Sequence, residues 1–493
     1  LGDFLVARSP TFNHAPESPA ALEQLPKVKS NGVGMSALCF QNVRGHLTAL
    51  LAAIAMFCGA VPIQANDRLR LIIETDAGGD PDDEQSLVRF LLYVNEWDVE
   101  GIIANRREAR PGENRNPERT GLGIVRRLLK AYGECYTNLV QQDSRYPTPD
   151  LLWRRTVAGY DDTDEAVNLI IAAVDKPDER VVWYSDWGTD VGGATNNLRR
   201  ALDRVLRERG PEGYKKFKSR LRLSSTDVFS DHTLKIEPAF PLWVDTFRPP
   251  LDGRRWYHRF SGITAKAGGF DLMRDCLTGH GPLGALYPTN TTHWQKEGDT
   301  MTFLYLVPTG MNDPEQPGWG SWAGRYGLNE TFSGKPYFWA NQRDAWNGAT
   351  NRDNTLSRWA ADLQNDFKAR LDWCVKSFEE ANHAPSAMVN GQAGKRILHL
   401  EVAAGTPVRL SAEGSSDTDG NQLAYEWIVY AEAGTYAGAV RLENASAAQA
   451  ILHVPLEAAD KTIHVVLTVR DDGAPPLVAY RRVIVRGRAA AQK

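Results

Sequence analysis

Asp76, Asp80, Asp82 and Asp83 fall within eight residues of one another in RLRLIIETDAGGDPDDEQSLVRFLL, where a short apolar strand hands over to an amphipathic helix. Carboxylates this close repel one another unless a cation sits among them. The carboxyl end of a strand in an α/β fold is also where ligands bind. Calcium takes roughly six to eight oxygen ligands in irregular geometry, so aspartates with carbonyls and waters suit it. Magnesium demands a tighter octahedron and usually a phosphate partner, and no phosphate-cradling loop is visible. Zinc would call for His or Cys. The plainer alternative is a helix cap, with Asp82 or Asp83 accepting backbone N–H bonds and offsetting the helix dipole. One carboxylate would do that. Four, with Gly78 and Gly79 between them, predict a metal site.

The elements that must hold this loop belong to a long chain. At 493 residues two or three domains are expected. The residues are 42% apolar and 24% charged, as in a soluble globular protein, and the net charge of -4 gives no support to a nucleic-acid or membrane-surface role. The basic stretch from Arg199 to Arg222 reads as a solvated helix face and the turn after it. Met35 begins MSALCFQNVRGHLTALLAAIAMFCGAVPIQAND, with Arg44 and His46 ahead of an apolar run from Leu47 to about Ile63 and Ala65 suiting a cleavage site. Residues 35–65 therefore resemble a secretory signal peptide, with a retained signal anchor as the alternative, and predict a secreted or periplasmic protein without stable membrane insertion after cleavage. Residues 1–34 show no periodicity and read as a spurious or disordered extension. Of the cysteines beyond the leader, Cys135, Cys276 and Cys374 cannot make a disulfide framework and have no metal-ligand spacing. Buried thiols, or at most one bridge, are expected.

From residue 67 to 383 strands and helices alternate. Strands are predicted at Leu69–Glu74, Val99–Ala104, Val181–Ser185 and Met301–Val307, and helices at Asp83–Trp97, Pro117–Tyr132, Ala194–Arg209 and Leu356–Ala381. Such alternation implies a mostly parallel sheet flanked by helices. From 384 to 487 short β-rich runs are separated by Gly, Asp, Asn and Pro, the pattern of an all-β sandwich. SSDTDGNQLAYEW resembles the turn and Tyr-x-Trp strand of polycystic-kidney-type and cadherin-like modules. Trp427 is expected in that core, and Asp417 and Asp419 offer either a calcium ligand pair or an Asx-rich turn. The loop GMNDPEQPGWGSWAGRYG carries Trp319 and Trp322, which are candidates for substrate contact or for packing.

Glu74-Thr75-Asp76 followed by Asp82-Asp83 resembles the Asp-Thr-Asp-x-x-x-Asp-Asp fingerprint of the inosine-uridine nucleoside hydrolases, and VEGIIA is similar to their second strand. SLVRFLLYVNEWDVEGIIA, HGPLGALYP, EGDTMTFLYLVPTGMNDPEQPGWGSWAGRYG and QNDFKARLDWCVKSFEEANHAPS are closer to a bacterial branch known as cellulose-binding proteins. These blocks cover most of Leu69 to Ser386. The resemblance implies a calcium ion that grips the vicinal hydroxyls of a pentose and a water. Its ligands would be Asp76, Asp82, Asp83 and Asp299, with a backbone carbonyl around Asp186. Asp76 would also be the general base, taking the proton of a water that attacks an anomeric carbon. Asn105, at the end of the second strand, is a candidate for sugar hydroxyls or a simple turn residue. The loop is two residues longer than the fingerprint, so Asp80 is an alternative ligand. The His-Asp pair of many nucleoside hydrolases is Gly298-Asp299 here. His280 and His293, either of which could instead be a structural or surface histidine, and Glu297 or Asp227 are the candidates to replace a missing acid. Two functions compete: an exported calcium-dependent hydrolase of N-glycosyl or related bonds, and a non-catalytic carbohydrate-binding protein that keeps the metal site. The expected partner is a carbohydrate or nucleoside-like small molecule, with cellulose as one candidate, and not nucleic acid.

Overall fold

The protein is described from a computed structural model covering residues 68–112, 116–189, 194–226, 240–247, 259–289, 295–328 and 338–489. The leader readings, His293 and Asp227 lie outside these residues. No described helix is long and apolar enough to cross a membrane.

The first domain is built on an eight-stranded sheet of β1 (Leu69–Thr75), β2 (Trp97–Ala104), β3 (Thr156–Ala158), β4 (Val182–Asp186), β5 (Leu221–Ser225), β6 (Trp243–Asp245), β7 (Tyr326–Leu328) and β8 (Trp339–Asn341). Their order is β3-β2-β1-β4-β5-β6-β8-β7, parallel except for the edge strand β7. Helices α1 (Asp82–Tyr93), α2 (Gly121–Gln142), α3 (Glu165–Asp175), α4 (Asn197–Ser219), α5 (Thr300–Leu304) and α6 (Ala360–Asp372) accompany it. β1 is buried along nearly its whole length because helices cover both faces, so its sequence reads LRLIIET rather than alternating. One apolar cluster takes Leu71, Ile73, Leu87 and Phe90 on one side of the sheet, and another takes Ile72, Ile103, Ala166 and Val182 on the other.

The chain leaves β1 for β2 and β3 on one side and then crosses to β4 and β5 on the other. The sheet therefore has a topological switch between β1 and β4, and the crevice at their carboxyl ends is where such folds bind ligands. Register brings the loops there to one level, with Thr75 beside Ala104 and Glu74 beside Asp186.

Two expected elements differ. Met301–Val307 is not a strand but the short helix α5 and the turn after it. Met301, Phe303 and Leu304 are wholly buried, and an apolar run buried all round loses the periodicity that separates strand from helix. Leu356–Ala381 is not one helix: a single helical turn at Asn354–Ser357, then α6, then a 3-10 turn at Phe378–Glu380 started by a Ser377–Glu380 capping box. The basic stretch is, as expected, a solvated helix. α4 breaks at Gly210-Pro211, and Arg199, Arg204 and Arg209 pair with Asp203, Glu208 and Asp175.

The second domain is a β-sandwich. A four-stranded sheet of β11 (Leu398–Ala403), β17 (Val478–Arg488), β16 (Thr462–Asp471) and β13 (Leu423–Val429) faces a three-stranded sheet of β12 (Pro407–Ser411), β15 (Gln449–His453) and β14 (Arg441–Glu443). Trp427, Leu410, Leu452, Val465 and Val483 share the core between them. The Asp417–Asp419 turn is hydrogen-bonded: Asp417 accepts from the N–H groups of Asp419 and Asn421, and Asp419 accepts from His383 Nδ1 at 3.0 Å. It reads as an Asx turn docked on the interdomain linker. The hairpin β9 (Asp344–Trp346) and β10 (Ala349–Asn351) stands apart from both large sheets.

The two domains are joined by buried polar contacts. Tyr430 donates to Asp344 at 2.5 Å, Tyr480 to Asp362 at 2.6 Å, and the buried Arg482 guanidinium to the carbonyls of Met311 and Trp319 at 2.5 and 2.6 Å. At Gly310, φ is +88° and an added Cβ would lie 2.1 Å from the Tyr480 carbonyl, so this close approach needs glycine. The thiols of Cys135, Cys276 and Cys374 are buried and unbridged.

Candidate metal centre

Asp76 follows β1, and the turn Ala77–Pro81, with Gly78 at φ +97°, carries the chain into α1. Asp82, Asp83 and Glu84 make an acidic first helical turn, which the helix dipole favours. No side-chain cap closes this helix, however, so capping does not account for its carboxylates. One carboxylate oxygen from each of Asp80, Asp82 and Asp83 lies within 4.8 Å of the others.

Asp299 is brought to this loop by a chain of local bonds. Gln85 Oε1 on α1 accepts from the backbone N–H groups of Lys296 and Glu297 at 2.7 and 3.2 Å. Thr300 donates to Ser86 or Glu297, at 3.1 and 2.9 Å. Thr302 is clamped over the sheet, its hydroxyl 2.8 Å from Ser185 and its carbonyl accepting from Ser224 at 2.7 Å. Glu297 is held at φ +45°, a left-handed conformation costly for a non-glycine residue. Its carboxylate is fixed by Arg89 Nε at 2.5 Å, Tyr287 at 2.9 Å and Gln295 at 2.6 Å. Glu297 is therefore the anchor of the Asp299 loop and has no oxygen to spare as an acid.

Like charge dominates the centre. Burial, and then the charges of Asp299, Asp76 and Asp82, push the Asp83 carboxyl well above the usual range. Burial, and then Asp82, Asp76, Asp80 and Asp186, do the same to Asp299. Buried Asp299 Oδ2 has no hydrogen-bond partner among the described residues, and neither has Asn105 Oδ1. Buried acceptors left unmatched are costly, and a set composed wholly of oxygens fits a hard cation.

Two cations that sequence reasoning missed sit at the edge. Arg106 donates to Asp76 Oδ2 at 2.5 Å and to the Asp76 carbonyl at 3.1 Å. Lys296 pairs with Asp80 at 2.5 Å. Arg106 follows Asn105 at the end of β2, and that strand-end position is the signal that would have found it. Lys296 is two residues from the Glu-Gly-Asp-Thr run but carries no pattern of its own. Asp80 keeps this pairing while its carboxylate stays within 4.8 Å of those of Asp82 and Asp83 and its charge acts on Asp299. Asp76 and Asp80 are the partly open members of the cluster, their side chains 13% and 22% exposed, while Asp82, Asp83 and Asp299 are buried. An added Cβ at Gly188 would come within 2.7 Å of Asp76 Oδ1, so glycine after β4 keeps that oxygen accessible.

The other expected residues separate. Asp186 ends β4, and its carbonyl accepts from Thr226 N–H at 3.1 Å in the ladder with β5. Its side chain contributes as well, through its charge on Asp299. Asn105 is buried beside the centre, its amide donating to Gly188 O at 2.7 Å and to Glu74 Oε1 at 3.1 Å. Glu74 also accepts from Asn197 at 2.7 Å and from Tyr184, and burial raises its carboxyl to about 7 against those hydrogen bonds. Trp319 and Trp322 are drawn into packing against the second domain rather than towards the carboxylates. Trp319 packs on His464 with ring centroids 5.3 Å apart, and Trp322 on Tyr480 at 6.4 Å. Their partners belong to the sandwich, which claims these rings for the domain interface. His280 pairs with Asp372 at 3.2 Å at the end of α6. A cleft of about 660 Å³ lined by Arg106–Pro111, Asp161 and Ala194–Asn196 opens beside Arg106.

A family described as "Cellulose-binding Sde182, nucleoside hydrolase-like domain" matches residues 70–326, and its companion, "Cellulose-binding protein Sde0182, C-terminal domain", matches residues 407–487. The chain belongs to this family. Its nucleoside-hydrolase-like domain thus contains every carboxylate of the centre. A solved nucleoside hydrolase-related protein from Saccharophagus degradans, described as associated with carbohydrate metabolism, is 33% identical, with a TM-score of 0.68 over 86% of this chain and all of its own. The solution structure of the PKD domain from KIAA 1837 protein is 22% identical, over 20% of this chain and 84% of its own, with a TM-score of 0.15. Human CDH23 EC21-23 is 19% identical, over 22% of this chain and 33% of its own, with a TM-score of 0.16. No curated protein matches the sequence.

Proposed function

We propose that this chain is an exported, calcium-dependent hydrolase of glycosyl bonds, N-glycosyl or a related type, acting on a carbohydrate or nucleoside-like substrate. The observation that carries this reading is the cluster of acidic side chains around buried Asp299, which has an unmatched oxygen, with Asp76 partly open at its edge. Asp76, Asp82, Asp83 and Asp299 would hold the cation, with Asp186 adding charge. When bound, calcium would neutralise these groups and grip sugar hydroxyls. Asp76 takes the proton of the attacking water, with Arg106 fixing its second oxygen and Gly188 leaving room at the first. The surrounding carboxylates favour the positive charge that develops on the sugar ring as the glycosyl bond breaks. Asn105, held by Gly188 and Glu74, presents its amide oxygen to a sugar hydroxyl.

The resemblance of residues 35–65 to a secretory leader supports the export in this reading, and export would favour scavenging or glycan breakdown over nucleoside salvage. A second reading, non-catalytic binding of cellulose or another glycan, draws on the family's description and on the salt bridges that Arg106 and Lys296 make to two of the aspartates. Reducing-sugar release from a panel of nucleosides, aryl glycosides and cello-oligosaccharides separates the two. The hydrolase gives turnover that is lost on chelation, restored by calcium and reduced about a thousandfold or more by Asp76→Ala, the scale of losing a general base together with charge stabilisation. Binding to insoluble glycan without turnover, at full calcium occupancy, would leave only the second reading.

A further inference from the structure

A second cavity lies far from the carboxylates, at the seam between the domains. It holds about 360 Å³, within the range of small-ligand sites, and its lining includes Glu96, Arg145, Trp322, Trp373, Lys395 and Tyr480. Glu96 directly precedes β2 and Asn105 directly follows it, so the strand alone separates the two sites by roughly 25–30 Å at ~3.3 Å per residue.

Glu96 is only 3% exposed, and its Oε1 receives Arg370 at 2.7 Å. Its Oε2 is buried with no hydrogen-bond partner among the described residues. Lys395 Nζ stands 3.8 Å away and the Arg145 guanidinium 3.9 Å, both beyond hydrogen-bond range. Burial would raise the Glu96 carboxyl, but Lys395, Arg370 and Arg145 outweigh it and hold the group ionised below the usual range. A bare anion entering this gap would meet the Glu96 carboxylate, and a bare cation would meet three basic side chains. A hydroxyl suits both, because it donates to Oε2 while accepting from the ammonium or guanidinium. Trp322, Trp373 and Tyr480 are among the lining residues, and a largely apolar lining with a few convergent polar groups suits a sugar ring.

We propose that this seam is a second saccharide site, taking one or two units of a neutral glycan, with Glu96 accepting a hydroxyl and Arg145 and Lys395 donating to its neighbours. It rests on the carbohydrate reading of the protein but not on catalysis. Because the sandwich supplies Lys395 and Tyr480, the site exists only in the two-domain chain.

Calorimetry on the full chain, with cellotetraose as the neutral probe and tetragalacturonate as the anionic one, tests this. Cellotetraose is expected to bind with calcium chelated, about tenfold more weakly in Glu96→Gln, the scale of one mismatched buried polar group, and more weakly again in Arg145→Ala/Lys395→Ala. That double variant changes only partly exposed side chains and tests the seam independently of the Arg370 pair. Unchanged affinity in both variants would overturn the proposal, as would a preference for tetragalacturonate. Cellotetraose binding that disappears on chelation and ignores the seam variants would place the saccharide at the carboxylates and leave the carbohydrate reading standing. No binding of either probe would remove both.

Discussion

Asp299→Asn is expected to make the chelated protein more heat-stable and to abolish its response to calcium. In the folded chain Asp299 is buried among like charges that raise its carboxyl well above the ordinary range, as they also raise Asp83. A carboxyl raised on folding gives stability that is present below its unfolded pKa and lost as pH rises through the folded value. Chelated wild-type protein should therefore weaken as pH rises from about 4, an ordinary carboxyl pKa, towards neutrality. Calcium needs the ionised carboxylates, so its affinity rises over the same window and its binding releases protons. At about a hundred times its dissociation constant it should stabilise the wild type by about 2.7 kcal/mol. Asparagine keeps the shape and removes the charge. Thermal melts at pH 5 and pH 7.5, with chelator and with calcium, should show the variant above the wild type when chelated at pH 7.5, and below it with calcium. A variant that melts lower in both conditions would mean that Asp299 is a structural hydrogen-bonding group and not a cation ligand.

The largest loss of stability is expected from Glu297→Ala. Arg89 and Glu297 are both fully buried, and the same guanidinium donates to Gln364 at 2.7 Å and lies 3.6 Å over the Phe367 ring. Removing the carboxylate leaves a buried cation without its charge partner, a change that costs about 3–5 kcal/mol. It also frees a backbone held at φ +45° two residues before Asp299. Urea denaturation should show a much lower midpoint, and calcium should stabilise the variant less than it stabilises the wild type. Replacing both partners, as Arg89→Met with Glu297→Leu, should recover part of the urea stability, because no charge is then stranded. The calcium response should stay weak, since the loop has lost its anchor. Equal losses in the single and double variants would show that the pair does not fix this loop through its charge.

How much of this was legible depended on whether the signal was local. The acidic loop was readable because a strand, two glycines and an amphipathic helix surround it within one stretch of chain. Asp299, more than two hundred residues away, carried no such signal and came into view only through its Gly-Asp-Thr context and the matched blocks. Arg106 and Lys296 stayed hidden because their partners are set by the meeting of three loops at the switch between β1 and β4. Asp186 stands at the expected strand end, but the charge its side chain puts on Asp299 has no local signal in the sequence. Trp319 and Trp322 illustrate a different limit. An aromatic loop over a sheet looks like a substrate platform until a second domain is known to rest on it. The apolar run at Met301–Val307 was misread for a simpler reason: complete burial erases the pattern that tells helix from strand.

The most direct test of the centre is a crystal of the full chain grown with calcium and measured where its anomalous scattering is appreciable. A cation centre predicts one strong peak bounded by Asp76, Asp82, Asp83 and Asp299, and none there in Asp299→Asn crystals. Absence of a peak at these four residues at millimolar calcium, with Lys296 or Arg106 swung into the space instead, would contradict it.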